Sequence, residues 1–111
     1  MNMENLVFQG GGVSGIAYTG AIKTLNEKDL LPNIKRVAGI SIGSIIASLV
    51  ALDYNADDIN TIVSKTNFAD FEDHKRYLRI LTIYGIYKGD TFLEWMWEKV
   101  QKKTRQWQYY F

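Results

Sequence analysis

Two short glycine motifs, each set between an apolar run and a helical pattern, constrain this chain more than any other feature. The first is Gly10-Gly11-Gly12-Val13-Ser14-Gly15 and the second is Gly39-Ile40-Ser41-Ile42-Gly43. Leu6-Val7-Phe8 is a short apolar run stopped by the first glycine cluster, as expected of a buried strand. Ile16, Ala17, Gly20, Ala21 and Leu25 then share one face of a helix from Ile16 to about Lys28, and the small residues at 17, 20 and 21 would let it lie close to a sheet. Pro32 separates this helix from a second strand, Ile34 to Ile40. The second motif is a tight turn, Gly39 to Gly43, into a helix from Ser44 to about Asp53. Two strands joined by a crossover helix run parallel, which predicts an α/β fold in three layers.

The second half is less specific. Asn55 or Asp57 caps a helix running to Lys65. Phe68 to Tyr87 mixes charge and aromatics without one clean period, and reads as a helix from Asp70 to about Leu81 followed by a loop. Gly89-Asp90-Thr91 marks a further helix start with Asp90 as its cap. Leu93, Met96, Trp97 and Val100 form an apolar stripe along that helix. Lys99, Lys102, Lys103 and Arg105 fall in its last turns, where cations favour the helix dipole. Trp107, Tyr109, Tyr110 and Phe111 then read as a strand cut short. The same basic and aromatic cluster also has the composition of a peripheral contact with an anionic membrane surface.

Each motif carries two readings by itself. The first satisfies G-x-G-x-x-G, which brings backbone close to a pyrophosphate in nucleotide-binding folds, or is a bare strand-to-helix turn. The nucleotide reading needs an acidic residue at the end of the next strand, and that strand ends in Gly-Ile-Ser-Ile-Gly. The second motif is G-x-S-x-G in the strand–turn–helix context of a nucleophile elbow, or a serine-capped helix after a small-residue turn. Taken together they are stronger. A serine nucleophile needs donors aimed at the developing oxyanion. The backbone amides of Gly10, Gly11, Gly12 and Val13 are the candidate donors, and Ser41 is the candidate nucleophile. Gly15, Gly39 and Gly43 remove side chains from the turns. Both loops leave the carboxyl ends of neighbouring strands, where α/β sheets place their sites.

Composition narrows the chemistry. The chain has no cysteine, which excludes disulfides, thiolate metal sites and a cysteine nucleophile. Its one histidine, His74, lies within Glu72-Asp73-His74-Lys75-Arg76 and reads as a solvated position, so neither a metal centre nor a Ser-His-Asp triad is expected. A net charge of +1 gives no signature for nucleic acid. The N-terminus lacks a secretory pattern, and the apolar stretch Ile45 to Leu52 is far short of the ~20 residues a spanning helix needs. This is compatible with a cytosolic protein that works at a membrane surface.

The segments Leu6-Val-Phe-Gln-Gly-Gly-Gly-Val-Ser-Gly-Ile-Ala-Tyr-Thr-Gly-Ala-Ile22 and Val37-Ala-Gly-Ile-Ser-Ile-Gly-Ser-Ile-Ile-Ala47 resemble the patatin-like phospholipases. The resemblance is close from about residue 5 to 53 and loose beyond. It implies a three-layer α/β/α fold with a mainly parallel sheet, an oxyanion loop at Gly10 to Gly15, and Ser41 as nucleophile. It further implies lipid or other acyl-ester substrates, no cofactor and no metal. The position of Ser14 is arginine in many members. The resemblance also implies a Ser-Asp dyad whose aspartate lies in an Asp-Gly motif much later in the chain. None of Asp29, Asp53, Asp57, Asp58, Asp70, Asp73 and Asp90 is followed by glycine. Residues 1–111 therefore read as the N-terminal portion of a patatin domain, a fragment, truncated product or decayed copy, with no second domain. The dyad aspartate would lie outside the chain, in a missing C-terminal half or a complementing chain. Three alternatives compete: a catalytically incomplete remnant that binds lipid or a protein partner, a malonyl-transferase-like acyltransferase, which would want a histidine, and a nucleotide-binding fragment.

Overall fold

The computed structural model describes residues 2–66 and 90–108. The chain divides after Lys65 into two compact units. The first begins with β1 (Asn5–Phe8), passes through a 3-10 turn (Gly12–Ile16) into α1 (Ala17–Glu27), and returns through a second 3-10 turn (Leu31–Asn33) to β2 (Arg36–Gly39). α2 (Ile42–Ala51) and α3 (Ala56–Lys65) complete it. β1 and β2 pair in parallel, with Leu6 opposite Val37 and Phe8 opposite Gly39. The ladder continues past both ends. The Lys35 and Arg36 amides donate to the Glu4 carbonyl at 2.8 and 3.1 Å, and the Ile40 amide donates to the Phe8 carbonyl at 3.2 Å. With α1 as the crossover, this is the predicted βαβ unit of an α/β fold.

Along β1 the burial alternates, as a strand's period of two requires. Phe8 is buried and Leu6 half-buried, whereas Val7 is 78% exposed. α2 packs across both strands and α3 packs along α1. Phe8, Ile22, Ile46, Leu49, Ile59 and Val63 form the core between them. Within the first unit the Val7 and Ala38 face of the sheet bears no helix, so this unit comprises the sheet and the helices on one side.

α1 does not bury the face expected from its small residues. Ala17, Gly20 and Ala21 are exposed, as is Ile16, and the helix instead buries Thr19 and Ile22, with Leu25 half-buried. Two contacts set this rotation. Gly15 sits directly against the Ile42 side chain, and the Tyr18 ring meets Phe8 edge-on at a centroid separation of 5.2 Å. The buried Thr19 hydroxyl donates to the Ile16 carbonyl at 2.7 Å, so its burial leaves no unmet polar group.

α2 starts at Ile42, earlier than expected, which reduces the turn after β2 to Ile40 and Ser41. Of the two caps considered for α3, Asn55 is the one used: its Oδ1 accepts the Asp58 amide at 2.7 Å. Asp57 and Asp58 occupy the first turn, where carboxylates meet the positive end of the helix.

In the second unit, α4 (Asp90–Gln108) begins at the predicted Asp90. Its covered side is rotated from the predicted stripe. Leu93 and Trp97 are 66% and 61% exposed, whereas Phe92, Trp95, Met96, Lys99 and Val100 are half-buried. Local pairing favours this side: Phe92 stacks on Trp95 at 6.4 Å, and the Lys99 ammonium lies 5.4 Å from the Trp95 ring centroid. α4 also extends through Trp107 and Gln108, which are helical rather than a strand, so only Arg105 of the basic cluster reaches its last turn. The predicted helix from Asp70 to Leu81, His74, and Tyr109 to Phe111 lie outside the described residues. No helix among the described residues is long and apolar enough to cross a membrane.

Candidate active site

The carboxyl ends of β1 and β2 bring the two glycine motifs together. An ideal Cβ on Gly10 would lie 3.1 Å from the Ser41 Cβ and 3.3 Å from the Ile40 carbonyl oxygen, a tight fit that the absence of a side chain relieves. Gly39 faces the Gly43 carbonyl, and an ideal Cβ on it would stand 2.7 Å from the Ser44 nitrogen. At Gly43 a Cβ would press on the Phe8 carbonyl oxygen. The G-x-S-x-G spacing thus lets α2 start directly on the sheet.

Ser41 is held at φ 56° and ψ −131°. A side-chain-bearing residue avoids this conformation, at a cost of about 1–3 kcal/mol. Asp29 and Asp53 also have positive φ, but each follows the end of a helix, where such a turn is common. Ser41 instead stands before a helix, and both it and Ile40 are exposed. Its carbonyl accepts from the Ser44 amide at 2.9 Å and from the Ser44 hydroxyl at 2.6 Å.

Gly12, at φ 57°, turns the chain into the 3-10 segment that leads to α1. The Ser14 amide closes this turn on the Gly11 carbonyl at 3.1 Å. Among the described residues, no acceptor takes the amides of Gly10, Gly11, Gly12, Val13 or Ile42. The Ile42 amide is not among those singled out from the sequence, although G-x-S-x-G places the residue after the serine at the first position of a helix, where amides are free.

A model of the patatin-like phospholipase family matches residues 6–108. The chain belongs to this family. It is 37% identical over 106 residues to the uncharacterized protein YqhO of Bacillus subtilis, covering 87% of this chain and 36% of that protein. It is 36% identical over 74 residues to triacylglycerol lipase 4 of Saccharomyces cerevisiae, covering 64% of this chain and 8% of the lipase. Among solved structures, ExoU of Pseudomonas aeruginosa, in its complex with SpcU, shares the fold with a TM-score of 0.73 at 24% identity, over 92% of this chain and 22% of that one. This patatin-like chain thus spans about a third of the length of YqhO and less of the others. Family and lipase relative together support lipid hydrolysis at the level of the family.

The carboxylates of the first unit lie away from this site. Asp29 and Asp53 follow the ends of α1 and α2, and α2 with its 10 residues is about 15 Å long, so Asp53 is separated from Ser41 by that length. Asp57 and Asp58 open α3 just after Tyr54, whose amide is tied to the Leu49 carbonyl at the far end of α2. Glu4 precedes β1, at the opposite end of the sheet from Ser41, and Glu27 ends α1. No cluster of three or more metal-ligating side chains occurs among the described residues.

Proposed function

We propose that this chain carries the nucleophile and the oxyanion loop of a patatin-like acyl hydrolase acting on lipid esters. The strained backbone of Ser41, set beside a bare glycine loop at the carboxyl ends of two parallel strands, is the observation that carries the reading. Ser41 Oγ attacks the ester carbonyl, and its proton passes to a carboxylate. The amides of Gly10, Gly11, Gly12 and Val13 hold the oxyanion, with Ile42 as a further donor at the positive end of α2. The C–O bond to the leaving alcohol breaks as the alcohol takes up the proton. Water activated by the same carboxylate then hydrolyses the acyl-serine. Gly15, Gly39 and Gly43 keep the loops close enough for these steps.

The carboxylate is the aspartate of a Ser-Asp dyad supplied from outside these 111 residues, by a longer protein or a complementing chain. The remoteness of every carboxylate in the first unit supports this. Losing the base in a serine hydrolase costs on the order of 10⁴-fold. A fluorophosphonate probe and an ester substrate test the reading. The 111-residue chain should label slowly at Ser41 without measurable turnover, whereas a protein continuing into an Asp-Gly motif should do both rapidly. Rapid Ser41-dependent turnover by the 111 residues would refute the external base, and no labelling of Ser41 in either protein would refute the nucleophile. For the chain by itself, the distance of Ser41 from every carboxylate of the first unit favours a second reading, a binding remnant for lipid or a protein partner. The exposed Leu93 and Trp97 with the nearby Lys102 and Arg105 of α4 suit peripheral contact with a membrane.

A further inference from the structure

Gln9 is the last residue before the glycine loop, and its carbonyl is fixed by a side chain the motifs do not include. The Tyr18 hydroxyl, from the first turn of α1, donates to the Gln9 carbonyl at 2.7 Å. The Tyr18 ring is itself held edge-on against Phe8. A trans peptide is planar, and its C=O and N–H point in opposite directions. No cis peptide bond occurs among the described residues, so anchoring the Gln9 carbonyl toward Tyr18 turns the Gly10 N–H the other way. That amide has no acceptor among the described residues, and Gly10 adjoins Ser41.

We infer that Tyr18 is a positioning residue: its hydroxyl sets the Gln9–Gly10 peptide plane and so aims the Gly10 amide for the oxyanion. The inference rests on the proposed role of the glycine loop. Gly43 leaves room for the same carbonyl, since an ideal Cβ there would come within 2.8 Å of the Gln9 oxygen. Tyr18 touches no reacting atom, so its loss should weaken stabilisation of the oxyanion and leave binding of the acyl group alone.

Tyr18→Phe keeps the ring and its contact with Phe8 and removes only the hydroxyl. Two measurements on the 111-residue chain test it. In NMR spectra, the Gln9 carbonyl carbon and Gly10 amide nitrogen resonances should move, while those of α2 and α3 stay. The slow fluorophosphonate labelling that oxyanion donors support without a base should fall about three- to tenfold in maximal rate, with the half-saturating probe concentration unchanged. Unmoved Gln9 and Gly10 resonances, or an unchanged maximal rate, would overturn the inference. An equal change in half-saturation and rate would overturn it as well, because it would place Tyr18 in the binding pocket. If Ser41 of the unsubstituted chain and of its longer counterpart both stay unlabelled, the proposed function fails, and the resonances alone decide whether Tyr18 orients the peptide.

Discussion

Gly43 rests against the end of β1 so closely that an ideal Cβ on it would stand 2.8 Å from the Gln9 carbonyl oxygen. The obstacle is backbone on both sides, held by the β1–β2 ladder and by the first turn of α2, so it has little room to give. Gly43→Ala should therefore destabilise the chain by about 2 kcal/mol in urea unfolding. Gly20 is the control. It lies inside α1 with nothing within 4 Å of where a Cβ would stand, so Gly20→Ala should stabilise by about 0.5–1 kcal/mol. Equal effects of the two substitutions would contradict the close approach at Gly43.

The backbone of Ser41 predicts a difference between two substitutions that remove the proposed nucleophile. Alanine keeps a Cβ at φ 56° and ψ −131°, whereas glycine does not. Ser41→Gly should be more stable than Ser41→Ala by about 1 kcal/mol, and neither should label with a fluorophosphonate. Equal stabilities would mean that Ser41 is not strained in solution.

Much of this site was legible because its constraints are local. The apolar run at Leu6 to Phe8, the glycines after it and the spacing around Ser41 determine the two strands, the crossover and the elbow before any tertiary contact is known. The faces of the helices were not legible in the same way. Ile16, Ala17, Gly20 and Ala21 look like a packing face, yet Thr19 is buried in their stead, because its hydroxyl finds the Ile16 carbonyl within the same turn. Along α4, Leu93 and Trp97 match helical spacing as well as Trp95 and Lys99 do, and pairing among Phe92, Trp95 and Lys99 decides between them. Tyr18 leaves no trace in the motifs, since its partner is a backbone carbonyl nine positions earlier.

The choice between Asn55 and Asp57 as the cap of α3 can be measured. Asn55→Ala removes the acceptor for the Asp58 amide and should cost about 1 kcal/mol. Asp57→Ala removes only a favourable charge from the first turn and should cost less than half of that. The reverse order in thermal or urea unfolding would assign the cap to Asp57.

The ion pair between Lys35 and Glu4 is short, 2.6 Å, and bridges the chain just before the two strands. It is also largely open to water, with the Lys35 side chain 64% exposed. Exposed pairs contribute little, and the backbone bonds from Lys35 and Arg36 to the Glu4 carbonyl remain without it. Glu4→Gln should change unfolding in urea by less than about 0.5 kcal/mol.

Neighbouring residues of β1 should respond in opposite ways. Phe8 is 5% exposed, fills the space between sheet and helices, and carries the edge contact that holds Tyr18. Phe8→Ala should destabilise by about 3–5 kcal/mol, enough to unfold a small domain. Val7 is 78% exposed on the other face, and Val7→Thr keeps a branched side chain suited to a strand. It should stay within about 0.5 kcal/mol in the 111-residue chain. Parallel sheets are ordinarily covered on both faces, so in a longer protein whose further elements cover this side, the same Val7→Thr should cost about 1–2 kcal/mol through the buried hydroxyl. Urea unfolding of the two forms measures both values, and an unchanged effect of Val7→Thr in the longer form would show that this face of the sheet stays open there too.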